Sequence, residues 1–210
     1  MFIKSLLTTS VLACLVSATT PPKPKFEVID ANYDDIFVFP ALPALNNLDT
    51  YEGLTYTDFD VNQVGVDGEA QLTGIRPHTT SNNIVSGIQA LSKTDINPGF
   101  STNGTDTKYF DLKYFYFGCA VNTLAGAEGV AQQCTINVRG YRKLHDANPV
   151  ASAQFSFNPN IVDVLVDPKI ATFDKSFSAI QRVEIVQIES TTGEALNVIV
   201  LDDVAYNLYK

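Results

Sequence analysis

Apolar and polar side chains alternate with a period of two along most of the chain. The stretches 55–66 and 182–189 show this alternation, and turn signals such as Asp67-Gly68 separate the stretches. A period of two predicts strands with one buried face, and helical spacing is scarce. We predict strands near 26–30, 36–39, 55–66, 70–75, 84–91, 109–121, 133–142, 151–157, 162–166, 182–189 and 197–209. Many short strands without a convincing amphipathic helix predict an all-β fold, a single antiparallel β-sandwich of the jelly-roll type over residues 26–210.

The first eighteen residues have the pattern of a secretory signal peptide. Lys4 precedes the apolar run 6–16, and small residues lead to Ala18. This order predicts cleavage after Ala18 and a secreted, extracellular protein. The alternative is an uncleaved membrane anchor, but the run is shorter than the roughly 20 residues that cross a bilayer. We therefore expect residues 1–18 to be a signal peptide, residues 19–25 to be a flexible N-terminal arm, and the mature chain to have no membrane span.

The cysteine count changes when the signal peptide is removed, because Cys14 leaves with it and Cys119 and Cys134 remain. Two cysteines in an oxidising compartment pair by default, so we predict a disulfide bond between Cys119 and Cys134. Two buried free thiols are the alternative. A zinc site is disfavoured, since it needs two further ligands and the chain contains only His78 and His145 as histidines.

The stretch from Phe110 to Tyr141 contains both cysteines and many aromatic residues. If Cys119 lies opposite Cys134 on neighbouring antiparallel strands, Phe115 and Phe117 share the inward face with the cysteines. The outward face of that hairpin then carries Tyr114, Tyr116, Asn137, Arg139 and Tyr141. Rings stack on sugars while amide and guanidinium groups hydrogen-bond sugar hydroxyls, so these five residues are the candidate ligand-binding site. The alternative is that the tyrosines are there because tyrosine suits the outer face of a strand.

The order of several segments resembles a group of secreted jelly-roll proteins of fungi and bacteria. The segments are "NYDDIFVFP", "YEGLTYTDFDV", "FDLKYFYFGC", "CTINVRGYR", "AQFSFNP", "FDKSFSAIQRVEIVQ" and "VIVLDDVAYNLY". The resemblance implies a sandwich like that of carbohydrate-binding modules of the galactose-binding-like type. Many of those modules hold a structural calcium ion where the first and last strands meet, which points to Asp34 and Asp203 as calcium ligands. Solvated turn carboxylates are the alternative, and no other cofactor is expected.

The charge and the remaining motifs narrow the classes of partner. The net charge is −9 and no basic residues are clustered, so nucleic acid is a poor partner. The triplet Asn103-Gly104-Thr105 predicts N-glycosylation at Asn103 on an exposed loop, hence a glycoprotein. We find no catalytic triad, phosphate-binding loop or metalloprotease motif, so we do not expect an enzyme.

These observations predict a secreted non-catalytic β-sandwich that binds glycans or cell-wall polysaccharide. The alternative is a structural or interaction protein at the cell surface or host interface that has no affinity for sugar. A glycoside hydrolase is less favoured, although its two carboxyl groups need no proximity in sequence.

Overall fold

The computed structural model describes residues 25–38, 47–63, 74–86, 98–121, 129–160, 165–190 and 197–210. The predicted signal peptide lies outside the described residues, and so does the predicted arm except for Lys25. The strands are β1 Glu27–Ala31, β2 Thr50–Tyr51, β3 Leu54–Thr57, β4 Phe59–Gln63, β5 Asn82–Ser86, β6 Gly99–Ser101, β7 Tyr109–Val121, β8 Val130–Ala131, β9 Cys134–Tyr141, β10 Ala151–Phe157, β11 Lys169–Thr172, β12 Arg182–Ser190 and β13 Asn197–Tyr209. A short 3-10 helix, Lys175–Phe177, lies between β11 and β12.

The strands form two sheets, and the neighbouring strands within each sheet are antiparallel. Sheet A has the order β11-β7-β13-β5-β4, with β1 beside β13 and β8 beside β7. Sheet B has the order β10-β9-β12-β6-β3-β2. The predicted antiparallel β-sandwich is therefore confirmed. No helix among the described residues is long and apolar enough to cross a membrane.

The core lies between the two sheets and is rich in aromatic residues. Phe115 and Phe117 of β7 are fully buried, as the alternation predicted. The ring of Phe117 lies 6.1 Å from that of Phe157 in β10, measured between centroids, so sheet A contacts sheet B directly. Removing such apolar surface from water is the main source of stability for a sandwich of this kind.

The disulfide bond between Cys119 and Cys134 joins the two sheets. Its Cα atoms are 6.1 Å apart, and both residues are buried. The predicted bond is confirmed, but the predicted hairpin is wrong, because β7 pairs with β8, β11 and β13 while β9 pairs with β10 and β12. After β8 the chain leaves sheet A, with the backbone N–H of Gln132 still bonded to the oxygen of Cys119 at 2.8 Å, and enters sheet B at Cys134.

A bulge shifts the alternation where β13 lies beside β7. The register slips between Asp202 and Ala205 and again before Tyr206, and Asp203 has a positive φ of 46°. On β13, Leu201 on one side of the bulge and Val204 on the other are both fully buried. Because the extra residue lies between them, Asp202 and Asp203 both leave the inward face.

Candidate functional site

The five residues predicted to form one binding face lie on opposite sides of the sandwich. Tyr114 and Tyr116 belong to β7 and lie on the outer face of sheet A. Asn137, Arg139 and Tyr141 belong to β9 in sheet B. The prediction that they share one face is wrong, because it rested on pairing β7 with β9 and the structure places these strands in different sheets. Whether any of the five binds a ligand stays a prediction.

Of the three residues in sheet B, Tyr141 has an aromatic ring, and this ring is not accessible to a sugar. Tyr141 is only 4% exposed, and the guanidinium of Arg182 lies 3.8 Å from its ring centroid. The Tyr141 hydroxyl donates to the carboxylate of Glu184. Burial, followed by this hydrogen bond, raises the pKa of the Tyr141 hydroxyl. A sugar cannot stack on the ring face that Arg182 occupies.

The outer face of sheet A carries a row of aromatic rings, which we call the tyrosine face. It comprises Phe26, Tyr109, Tyr114, Tyr116 and Tyr209. Tyr109 and Tyr209 stack at 4.5 Å between centroids, and Phe26 lies 5.7 Å from Tyr209. Tyr114 meets Tyr116 edge to face at 6.2 Å. Phe26 is 52% exposed and the four tyrosines are half-buried, so this face combines rigid rings with open surface.

Long-range strand pairing brings these rings together. Tyr209, the last residue of β13, is paired with Tyr109, the first residue of β7. The strand β1 lies along the other edge of β13, with Glu27 opposite Leu208, which places Phe26 at the same end. Sequence reasoning missed Phe26, Tyr109 and Tyr209, because no local pattern shows that the two strands are neighbours.

Carboxylates hold two of the tyrosines in place. The Tyr209 hydroxyl donates to Oδ2 of Asp111 at 2.9 Å, and that of Tyr114 to Oδ2 of Asp30 at 3.5 Å. Burial and then the carboxylate raise the pKa of the Tyr209 hydroxyl, and burial and the charge of Asp30 raise that of Tyr114. The hydroxyls therefore stay protonated, and the oxygens around them can exchange hydrogen bonds with a polar ligand.

One segment, residues 74–79, crosses the outer face of sheet A beyond the tyrosines, and we call it the strap. Ile75 is fully buried against Gly118 of β7, where an added Cβ would lie 2.4 Å from Ile75 Cδ1. Three residues further along, the His78 ring stacks on Tyr116 at 3.4 Å between centroids and 14° between planes. The strap thus covers the end of β7 that follows Tyr116.

The two aspartates of the bulge anchor the strap. Oδ2 of Asp202 accepts the backbone N–H groups of His78 at 2.6 Å and Thr79 at 3.2 Å. Asp203 contacts Nδ1 of His78 through one oxygen and accepts the Thr79 hydroxyl at 2.9 Å through the other. Burial and the charge of Asp203 raise the pKa of Asp202 to about 8. His78 carried no local signal that marked it as part of a site.

The predicted calcium ligands Asp34 and Asp203 have different partners. Oδ1 of Asp34 accepts the backbone N–H of Asn82 at 3.0 Å and the hydroxyl of Ser81 at 3.4 Å. Both oxygens of Asp203 are engaged by the strap. In the part of the chain that the structure describes, no three His, Cys, Asp or Glu side chains group to hold a metal. Calcium would have to displace existing hydrogen bonds, and its binding stays a prediction.

The predicted glycosylation site lies on an exposed turn. Asn103 follows β6 and precedes Gly104, whose φ is 73°, and both residues are exposed. The Asn103 backbone oxygen accepts the Thr55 hydroxyl at 2.6 Å, which fixes the turn. The position is accessible for modification, and the modification itself stays a prediction.

Comparison with known proteins gives no family for this chain. No family model matches it, and no curated protein matches it. A solved structure titled "Crystal Structure Analysis of the K2 Cleaved Adhesin Domain of Lys-gingipain (Kgp)" aligns with a TM-score of 0.43 and 14% identity, over 88% of this chain and 100% of that one. Similarity at this level does not indicate a shared function.

Proposed function

We propose that this protein is a secreted, non-catalytic β-sandwich that binds a glycan or cell-wall polysaccharide through the tyrosine face. The observation that carries the proposal is the row of aromatic rings on the outer face of sheet A. Secretion is supported by the disulfide bond, since such bonds persist in oxidising compartments. The partner is therefore a molecule met outside the cell.

The dimensions of the tyrosine face suit a linear ligand. From Tyr109 to Tyr116 the strand rises by about 23 Å at about 3.3 Å per residue. Aromatic rings offer apolar faces for the C–H surfaces of sugars, and the oxygens of Asp30 and Asp111 accept hydrogen bonds from hydroxyls. Because hydrogen bonds already hold Tyr114 and Tyr209, less side-chain entropy is lost on binding.

We propose no reaction at this face. Asp30 and Asp111 each accept a tyrosine hydroxyl, so their carboxylates serve as anchors for the rings. Lys113 adds an ion pair to Asp111 at 3.6 Å between Nζ and Oδ2. Because both carboxylates hold tyrosine rings in place, they suit a binding role better than the acid and base roles in a glycoside hydrolase.

Retention on a panel of insoluble polysaccharides tests the proposal. We expect at least one polysaccharide to retain the protein, and Tyr109→Ala to weaken that binding by about 2- to 12-fold. An aromatic contact contributes about 0.5–1.5 kcal/mol, and about 1.4 kcal/mol corresponds to a tenfold change in the dissociation constant. Lys143→Ala, at an exposed position after β9, is the control and should bind like the wild type. Equal retention of the wild type and Tyr109→Ala would remove the tyrosine face as the site.

The second candidate is an interaction protein that binds another protein and has no affinity for sugar. Val28, which is 74% exposed, and Ile170, which is 44% exposed, favour this alternative because apolar surface is typical of protein interfaces. Absence of retention on every polysaccharide would favour it. In that case we expect Val28→Ser to weaken binding to the protein partner.

A further inference from the structure

Among the described residues, the tyrosine face is closed at one end and open at the other. At the closed end the strap crosses β7 over Gly118 and Tyr116 and is bonded to Asp202 of β13. At the open end lie Tyr109 and Tyr209, the terminal residues of their strands. A linear molecule lying along β7 can therefore extend past Tyr109 but not past the strap.

The strap is held to the sheet by contacts of three kinds. Ile75 is fully buried against Gly118, which lacks a Cβ and so leaves room for it. The backbone N–H groups of His78 and Thr79 are bonded to the buried carboxylate of Asp202. Lifting the strap would leave Oδ2 of this buried side chain without these two donors, which is costly, so the strap is a fixed wall.

His78 forms the part of this wall that faces the rings. Its ring covers one face of Tyr116, and 41% of its side-chain surface is exposed. The contact with the carboxylate of Asp203 places the ring proton on Nδ1, because a carboxylate accepts the hydrogen bond. In the neutral ring, Nε2 is then the acceptor nitrogen and can accept a hydrogen bond from a ligand hydroxyl.

We infer that the tyrosine face binds the end of a glycan chain and that His78 contacts its terminal sugar. This inference rests on the proposed function and adds which part of the polysaccharide is recognised. A site with one closed end accommodates a terminus but not the interior of a long chain. The strap then determines specificity for chain ends, and His78 is its contact with the terminal sugar.

The number of binding sites per gram of polysaccharide tests the inference. A polysaccharide that retains the protein is partially hydrolysed into preparations of decreasing chain length, and each is titrated by calorimetry at equal mass. We expect the number of sites per gram to rise in proportion to the number of chain ends. A number that is independent of chain length would overturn the inference while leaving glycan binding intact. A protein that no polysaccharide retains would overturn both.

Two substitutions of His78 test its contact with the ligand in a protein that is still folded. In His78→Ala the contact with the terminal sugar is lost, while Ile75 and the backbone bonds to Asp202 keep the strap in place. The number of sites per gram should therefore still follow the number of chain ends, and the affinity should fall by about 2- to 12-fold, since a hydrogen bond contributes about 0.5–1.5 kcal/mol. His78→Gln keeps a side-chain donor for Asp203 and tests whether the loss of the ring alone has the same effect. Far-ultraviolet circular dichroism of both variants, which reports the strands, should match that of the wild type. If both correctly folded variants bind chain ends as tightly as the wild type, His78 does not contact the terminal sugar.

Discussion

Breaking the disulfide bond between the sheets should lower the free energy of unfolding by about 3 kcal/mol. The bond closes a loop with a sequence separation of 15, and the loss of loop entropy from the unfolded chain has about this size for such a loop. In a domain of this length, 1 kcal/mol corresponds to about 2–4 °C in melting temperature, so we expect a fall of about 6–12 °C. The wild type unfolded and refolded in reductant measures this effect without changing any other atom.

Urea unfolding followed by circular dichroism gives the free energy for the oxidised and the reduced wild type. The double variant Cys119→Ala with Cys134→Ala should lose more than the reduced wild type, because both sulfurs are buried and their removal leaves a cavity. If oxidised and reduced wild type unfold within about 1 kcal/mol of each other, the cross-link does not restrict the unfolded chain as argued. A double variant as stable as the reduced protein would show that the site collapses around the smaller side chains.

Three further predictions follow from the strap and the bulge. Gly118→Ala places a Cβ 2.4 Å from Ile75 Cδ1 and should cost about 1–3 kcal/mol in urea unfolding. At Gly140 the nearest atom to an added Cβ is 3.1 Å away, so Gly140→Ala should cost less. Because the pKa of Asp202 is raised to about 8 when folded, the folded state binds more protons than the unfolded state between about pH 4 and 8. The melting temperature should therefore rise as pH falls from 8 towards 5, and Asp202→Asn should flatten this slope; an unchanged slope would refute the assignment. If Asp34 and Asp203 bind calcium in the folded state, a chelator should lower the melting temperature by several degrees, and an unchanged melting temperature would remove calcium from consideration.

The strand content and the disulfide bond could be predicted because both depend on local sequence. Alternation around Phe115 and Phe117 identified the buried side of β7, and the count of cysteines in a chain predicted to be secreted identified the bond. The partner strands could not be predicted in the same way. Two cysteines whose Cα atoms are 6.1 Å apart fit either neighbouring strands or facing sheets, and the sequence does not distinguish them. The choice of a hairpin therefore placed β9 in the wrong sheet.

The candidate site was harder to predict because it depends on contacts between distant residues. Tyr114 and Tyr116 were assigned to an outer face, but their neighbours Tyr109 and Tyr209 become visible only through the pairing of β7 with β13. The bulge could not be predicted either, because strict alternation places Asp202 and Asp203 on opposite faces of the strand. Two adjacent acidic residues in an otherwise apolar strand were the signal that could have indicated it.

The position of β1 beside β13 makes the tyrosine face sensitive to mechanical tension. Glu27 is opposite Leu208, so the chain enters and leaves this strand pair at the same end of the sheet. A force that pulls Glu27 and Tyr209 apart would load the hydrogen bonds of this pair one after another, beginning at that end. Because each bond contributes only about 1 kcal/mol, β1 would detach at low load. Its detachment would withdraw Phe26 from Tyr209 and Asp30 from Tyr114, so a stretched protein would lose part of the tyrosine face while the disulfide-linked sheets remain joined.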